Sequence, residues 1–197
     1  MMKRAFTLKP AMLAVVAALG ISYTPVLFAG GLNEYIVNNV IPQLNLTSPE
    51  YDIVEVTETG GIVNNDFNGA YAFQYSSPGN IQDFNNRGHI FSSNYAVLNQ
   101  GLIQNLNNFS VIDTMPNGNN VNQENVAIYN NSGAIIANLN NYSLINAFNF
   151  DTNAEAYAIK NYGVINVIRN EGTINGNIYS STGLTIIGST TMNPGVL

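Results

Sequence analysis

Carboxylates are the residues of this sequence that come nearest to a catalytic set. Hydrolysis of a glycosidic bond needs two facing carboxyl groups, and a polysaccharide lyase also needs a basic side chain. Asp151 and Glu155 are close enough in sequence to face one groove, but no aligned acidic pair recurs in the neighbouring repeats. The other charged candidates are dispersed along the chain: Asp113, Glu171, Lys160 and Arg169. This scatter favours solvated surface charges over a catalytic pair.

Metal, nucleophile and cofactor chemistry have even less support in the sequence. His89 is the only histidine, whereas a metal site needs several ligands together. The chain contains no cysteine, which excludes thiol chemistry and disulfide bonds. The glycine-rich nonapeptide of calcium-binding β-rolls is absent. We therefore predict no catalytic, metal-binding or cofactor-binding residues.

A short motif that recurs four times dominates the sequence instead. Its form is apolar-x-Asn-x-Gly/Ser-x-Ile, and its copies cover residues 84–90, 106–112, 139–145 and 168–174. The asparagines and closing isoleucines of the motif are Asn86, Asn108, Asn141, Asn170, Ile90, Ile112, Ile145 and Ile174. An Ala-apolar pair precedes each copy, and these pairs begin 24, 31 and 31 residues apart. A Gly-x-Ile lies between each pair and its motif.

The unequal unit lengths come from two insertions that follow the motif, at residues 113–120 and 148–155. On a repeat protein both insertions would project from one side, where binding loops often lie. Surface loops also accept extra length at small entropic cost, so insertions without a role are the alternative.

The motif predicts an all-β, right-handed parallel β-solenoid of about four to five coils. Ile, Val, Tyr and Phe favour strands, Asn and Gly favour the turns between them, and no helical stripe runs through the repeats. One coil cannot bury its own apolar side chains, but stacked coils share an interior. We expect the four motif isoleucines to stack inside this interior. The four motif asparagines are expected to form a ladder of hydrogen bonds between coils.

The first 29 residues predict a signal peptide. Three basic residues precede an apolar run at 11–21, and Ala29 ends a short segment before Gly30. Removal of this segment leaves three basic residues against 12 acidic residues, a net charge of about −9. That charge argues against nucleic-acid binding, and the apolar run is too short to span a membrane. No membrane span is therefore expected in the mature chain.

Residues 30–69 lie outside the motif and predict an N-terminal cap for the solenoid, since repeat arrays need covered ends. Within the cap, residues 33–41 fit a short helix that begins at Asn33 and stops before Pro42. The solenoid itself is predicted over residues 70–188, and residues 189–197 form a C-terminal tail.

The repeats resemble those of a known group. The runs at residues 158–165 and 168–176 look like the AIxNxGxIxxIxNxGxIxG repeats in passenger regions of Gram-negative autotransporters. The resemblance covers roughly residues 70–180 and implies a parallel β-helix at the cell surface that serves adhesion or self-association. A passenger is normally followed by a membrane barrel of alternating strands, and no such strands follow here. The expectation is therefore a truncated passenger relative that lacks the translocator barrel.

Two functions follow as expectations. The first is an exported structural or adhesive module without a catalytic site, in the periplasm, at the surface or outside a Gram-negative cell. The alternative is a secreted carbohydrate-active β-helix, similar to a polysaccharide lyase or glycoside hydrolase. Expected partners are a second copy of the chain, through the solenoid ends, and a host or surface glycan or protein.

Overall fold

The computed structural model describes residues 32–47, 50–65, 71–76, 78–115, 124–148 and 155–188. The predicted signal peptide and C-terminal tail lie outside these residues, as do Asp151 and the central parts of both insertions. The described part of the chain contains strands and turns but no helix. This confirms the all-β prediction.

In the described residues, nineteen strands form three parallel sheets. In chain order the strands are β1 (Glu34–Val37), β2 (Val40–Ile41), β3 (Leu44–Leu46), β4 (Glu50–Val56), β5 (Gly61–Asn64), β6 (Tyr71–Tyr75), β7 (Asn80–Asn86), β8 (His89–Ser92), β9 (Tyr95–Asn99), β10 (Leu102–Asn108), β11 (Val111–Thr114), β12 (Asn125–Asn130), β13 (Ile135–Asn141), β14 (Leu144–Ala147), β15 (Ala156–Asn161), β16 (Val164–Asn170), β17 (Thr173–Asn175), β18 (Asn177–Ser180) and β19 (Ile186–Gly188). Sheet 1 has the order β1-β4-β7-β10-β13-β16-β19, sheet 2 runs from β2 to β17, and sheet 3 runs from β3 to β18.

Each coil of the chain adds one strand to each sheet. Three successive strands make one coil, so β1 to β18 form six coils and β19 begins a seventh. Consecutive coils pair in parallel register in all three sheets. The parallel solenoid is thus confirmed, but it has more coils than the four to five predicted.

The additional coils come from the segment predicted as a cap. Residues 34–64 contribute strands to the same three sheets as the repeats. The helix predicted over residues 33–41 is wrong, because Glu34–Val37 is a strand that pairs with Ile53–Val56. Val37 is buried in the interior and Tyr35 packs against it. This burial against the next coil outweighs the weak helical pattern of the segment.

A single apolar core fills the space between the sheets. In sheet 2, one interior column consists of Ile41, Ile62, Ile90, Ile112, Ile145 and Ile174, each paired with the next. All six side chains are at most 3% exposed. Columns from sheets 1 and 3 close the core, and Phe84 of sheet 1 stacks on Phe73 of sheet 3 with ring centroids 4.4 Å apart. The core therefore runs the length of the described solenoid.

Tight corners join the sheets. Between sheets 1 and 2 two residues separate the strands in most coils, for example Arg87 and Gly88 between β7 and β8, whereas four separate β4 from β5. A Cβ at residue 88 would collide with the carbonyl oxygens of Gly60 and Thr57 in the preceding coil. Close backbone approach therefore requires glycine at residue 88, although Ser110 and Ser143 hold the same motif position in the next two coils.

Candidate functional site

The motif asparagines form a buried ladder at the corner between sheets 1 and 2. The Nδ2 of Asn86 donates to Oδ1 of Asn108 over 2.9 Å, Asn108 donates to Asn141 over 2.8 Å, and Asn141 donates to Asn170 over 2.7 Å. All four side chains are fully buried. Each amide thus links its coil to the next one.

The same amides also hold the corner itself. The Nδ2 groups of Asn86, Asn108 and Asn141 donate to the carbonyl oxygens of Val111, Leu144 and Thr173, at 3.0–3.1 Å. These carbonyls belong to the first residue of the sheet 2 strand in the following coil. One side chain therefore bonds both to the next asparagine of the ladder and to the backbone of the corner.

A second ladder, which the sequence analysis missed, lies at the corner between sheets 3 and 1. The Nδ2 of Asn99 donates to Asn130 over 2.8 Å, and Asn130 donates to Asn161 over 2.7 Å. Asn161 continues the column to the hydroxyl of Ser180. The sequence carried a signal for this second ladder. Each of its asparagines precedes a turn that leads into sheet 1, just as each asparagine of the first ladder precedes a turn that leads into sheet 2.

Among the described residues, the candidate chemical residues are spread over all three sheets: Lys160 on sheet 3, His89 and Asp113 on sheet 2, and Arg169 on sheet 1. His89 lies on the outer face of sheet 2 and its Nε2 contacts Oδ1 of Asp113 at 2.7 Å. The hydrogen bond to Asp113 raises the pKa of His89 and outweighs partial burial, which lowers it. Arg169 lies in an outward row of sheet 1, and Glu171 lies at the next corner.

Within the described residues, no three His, Cys, Asp or Glu side chains are grouped so that they could hold a metal ion. The charged groups on sheets 1 and 2 therefore pair singly or face solvent. Among the described residues, the outer face of sheet 3 gathers several aromatic and charged side chains in one place.

Five tyrosines on the outer side of sheet 3 and its corner form a continuous aromatic surface, here called the tyrosine cluster. Its members are Tyr95, Tyr129, Tyr157, Tyr162 and Tyr179. Ring centroids of successive members lie 5.2, 5.8, 5.4 and 6.3 Å apart along the path 95-129-162-179-157. The rings are inclined to each other by 48–75°, so none of these contacts is a parallel stack.

Lys160 occupies the centre of the tyrosine cluster. Its Nζ lies 4.5 Å from the ring centroid of Tyr157, 5.5 Å from Tyr162 and 5.9 Å from Tyr179. The ammonium group also forms an ion pair with Glu124, and only 12% of the lysine side chain is exposed. Lys160 is therefore fixed by one carboxylate and three aromatic rings.

Three tyrosines of the cluster and its lysine have a raised pKa. Burial is the main cause that raises the pKa of Tyr95 and Tyr129, and burial with the hydrogen bond to Glu155 raises that of Tyr157 to about 12. Burial lowers the pKa of Lys160, but the hydrogen bond and charge of Glu124 raise it by more. At neutral pH the hydroxyls of Tyr95 and Tyr129 therefore keep their protons and can donate hydrogen bonds.

The two sequence insertions end beside this cluster. Glu124 directly precedes β12 and Glu155 directly precedes β15, and both strands belong to sheet 3. Glu124 binds Lys160, and Glu155 accepts the hydroxyl proton of Tyr157. Val126 is fully buried, although it is not part of the interior core, and it pairs with Tyr95 and Tyr157 on either side. The insertions thus lead into the strands that carry the cluster.

A second aromatic group lies at the corner between sheets 1 and 2. Phe109 and Tyr142 stack almost parallel, with centroids 5.0 Å apart and planes 5° apart. The guanidinium group of Arg87 lies 4.4 Å above the ring of Phe109 and pairs with Glu55 at 3.5 Å. Here the faces cover one another, so the group mainly presents ring edges to solvent.

No protein-family model, characterised protein or solved structure was found to match the chain.

A search of the described residues for a helix long and apolar enough to cross a membrane found none.

Proposed function

We propose that the chain is an exported adhesive β-solenoid module without a catalytic site, and that the tyrosine cluster is its binding surface. The observation that carries the proposal is the set of five mutually contacting tyrosines around a fixed lysine, on the outside of a rigid stack of coils. Tyrosine combines a large apolar ring with a polar hydroxyl, which suits a surface that must remain in water and still bind. Binding side chains held by a rigid scaffold lose little entropy when a ligand arrives.

The electrostatics of the cluster support binding over catalysis. A lyase removes a proton with a basic side chain, and such a base works best with a pKa near the working pH. The pKa of Lys160 is raised by Glu124 and that of Tyr157 is raised to about 12, both away from neutrality. The carbohydrate-active alternative therefore has a recognition surface in its favour but no activated base among these groups.

The resemblance to autotransporter passengers supplies the proposed location. The residues that carry it occupy β15 to β17, where Asn161 and Asn170 belong to the two ladders. We place the module in the periplasm, at the surface or outside a Gram-negative cell, as a relative of such passengers. Fusing residues 1–29 to a reporter in such a bacterium tests this: we expect an exported reporter cleaved near Ala29, whereas a cytoplasmic reporter that retains Met1 would contradict it.

Self-association through the ends is part of the proposal. Among the described strands, β1, β2 and β3 are the outermost at one end, and β17, β18 and β19 are the outermost at the other. Outermost strands expose unpaired backbone groups on one side, and such edges recruit further strands. A surface module that stacks end to end would present its tyrosine clusters in a row.

Adhesion can be tested with beads coated with residues 30–197. We expect such beads to be retained under flow on layers of bacterial or epithelial cells. A variant with Tyr129→Ala, Tyr162→Ala and Tyr179→Ala should lose retention, whereas the matched variant with Phe109→Ala and Tyr142→Ala at the other corner should keep it. Equal retention of both variants, or none by the parent, would contradict the proposal.

A further inference from the structure

We infer that the ligand of the tyrosine cluster is an uncharged, extended β-linked polysaccharide that lies parallel to the solenoid axis. This inference rests on the binding role proposed above and names the chemistry and direction of the ligand. Three features carry it: the axial spacing of the tyrosines, the exposure of Tyr162 and Tyr179, and the internal neutralisation of the charges.

The spacing comes from strand register. Tyr95 and Tyr157 belong to one outward column of sheet 3, with Val126 between them. Tyr129 and Tyr179 belong to the adjacent column, with Lys160 between them. Neighbouring strands lie about 4.8 Å apart, so the two tyrosines of each pair lie about 9.6 Å apart along the axis. That interval is about the length of one disaccharide in an extended β-linked chain.

The side chains suit the surface of such a sugar chain. Each pyranose ring has an apolar face of C–H groups and a rim of hydroxyls, and a tyrosine offers an apolar ring with a hydroxyl at its tip. Tyr162 and Tyr179 are 38% and 40% exposed, so part of each ring reaches solvent beside Lys160. An apolar peptide would be served as well by Phe or Leu, but Leu98 is the aliphatic side chain that pairs with Tyr129 in this column and the other contacting rings are tyrosines.

The charges exclude a polyanionic ligand. Lys160 is the one cation of the cluster, and it is already paired with Glu124 and only 12% exposed. Glu155 adds a further negative charge beside Tyr157. The mature chain also carries about −9 in total, so uronate or sulfate polymers would be repelled at low salt. A neutral polymer would not be repelled by these negative charges, and it would not need an unpaired cation to bind.

The group of Arg87, Phe109 and Tyr142 provides the internal contrast. Its aromatic planes differ by only 5°, and the rings cover each other at 5.0 Å. Its two rings lie on consecutive coils, so this group has no pair of rings two coils apart in one column. If aromatic content alone decided binding, both surfaces would bind the ligand. The sugar inference instead predicts binding at the tyrosine cluster only.

Titration calorimetry of residues 30–197 with defined oligosaccharides tests the inference. The probes are cellohexaose and chitohexaose as neutral β-linked chains, their disaccharides, hexagalacturonate as the anionic chain, and a proline-rich decapeptide. We expect binding of at least one neutral hexasaccharide, weaker binding of its disaccharide, and no binding of hexagalacturonate. Tyr129→Ala with Tyr179→Ala should weaken the hexasaccharide about tenfold or more, whereas Phe109→Ala with Tyr142→Ala should leave the affinity unchanged.

The outcomes separate this inference from the adhesive role. Absence of neutral binding, a preference for hexagalacturonate or the peptide, or equal loss in both variants would overturn the sugar inference. If the tyrosine variants still abolished bead retention on cells, the adhesive role would stand with a different ligand. Tyrosine-dependent sugar binding without retention of beads would support the sugar inference and refute adhesion. Circular dichroism and melting temperature of each variant show whether the fold is kept.

Discussion

The side-chain amide of Asn108 donates a hydrogen bond over 2.8 Å to Oδ1 of Asn141, which lies one coil further along the solenoid. Both side chains are fully buried, and both amides also donate to carbonyl oxygens of the next coil. Asn141 uses both its amide oxygen and its amide nitrogen in the ladder because the coils on either side supply Asn108 and Asn170 at the same place. The alignment of each coil with the next therefore depends on hydrogen bonds between buried amides as well as on apolar packing.

Substitution of the central asparagine should be costly. Asn141→Ala removes the acceptor for Asn108, the donor to Asn170 and the bond to the carbonyl of Thr173. We expect a loss of about 2–3 kcal/mol in the free energy of unfolding, because buried polar groups lose their partners. The neighbouring Asn140→Ala removes one partly exposed bond to Asn107 and should cost below about 1 kcal/mol. Urea titrations of both variants measure the difference, and equal losses would contradict a structural role of the buried ladder.

The interior isoleucine column gives a second prediction. Ile145 lies between Ile112 and Ile174 and is fully buried, whereas Leu144 faces outward and is partly exposed. Ile145→Ala should lower the free energy of unfolding by about 2–5 kcal/mol through lost burial and a cavity. Ile145→Asp should prevent folding, because the charge would have no partner. Leu144→Ala and Leu144→Asp are the controls and should fold; thermal melts that rank them with the Ile145 variants would refute the assigned orientation.

The sequence was sufficient for the repeat architecture because one residue type at a fixed place in every unit has few physical explanations. An asparagine that recurs before each turn, followed by an isoleucine four residues later, fits stacked coils better than a helix. The pairing of Ile90 with Ile112 follows from this, since identical units stack in identical register. The same reasoning applied to Asn99, Asn130 and Asn161 would have found the second ladder.

The first coils and the tyrosine cluster could not be derived in that way. In β1 and β4 the ladder position holds Val37 and Val56, so the motif is absent although the strands stack in register. The tyrosines occur at irregular sequence intervals because the insertions change the unit length. Only the strand pairing places Tyr129 and Tyr179 in one column. Position across coils, not spacing along the chain, defines this surface.

Close backbone approach at a corner predicts the effect of a small substitution. A Cβ at residue 163 would collide with the carbonyl oxygens of Ala134 and Asn131, whereas a Cβ at Gly183 would meet nothing within 4 Å. Gly163→Ala should therefore lower the free energy of unfolding by about 1–3 kcal/mol. Gly183→Ala should be neutral or stabilise by up to about 1 kcal/mol, because it restricts only the unfolded chain. Denaturant midpoints compare the two, and a neutral Gly163→Ala would show that the coils can separate at this corner.

The pair of His89 and Asp113 predicts a pH-dependent contribution to stability. The hydrogen bond to Asp113 raises the pKa of His89 above its ordinary value of 6.5. Protonation of a group whose pKa is higher in the folded state stabilises the fold below the unfolded pKa, and the effect disappears as pH rises through the folded pKa. The melting temperature of His89→Gln should therefore be lower than that of the parent at pH 5 and equal to it at pH 9.

The size of that difference should be small, because 48% of the His89 side chain and 19% of the Asp113 side chain are exposed. Asp113→Asn should remove the same difference, and the double variant should add nothing further. A gap between parent and His89→Gln that is constant over the whole pH range would show that the histidine acts by packing instead of by charge.

End-to-end association depends on the outermost strands. In β19, Ile187 is 51% exposed and follows the outward row of sheet 1, and in β2 at the opposite end Val40 is 62% exposed. No described strand pairs with the outer side of β19 or of β2. Joining the C-terminal end of one copy to the N-terminal end of another would continue the parallel sheets. Such a head-to-tail contact does not close on itself, so it yields growing chains instead of dimers.

Sedimentation velocity of residues 30–197 should show association that increases with concentration and with salt. Salt matters because the mature net charge of about −9 opposes contact and is screened at high ionic strength. Ile187→Lys should suppress growth by placing a charge on the edge strand. A mixture of Ile187→Lys with Val40→Lys should still form pairs, because each variant retains one intact end, whereas either variant alone should stay monomeric. A parent that is monomeric at high salt and high concentration would show that the ends are closed to other copies.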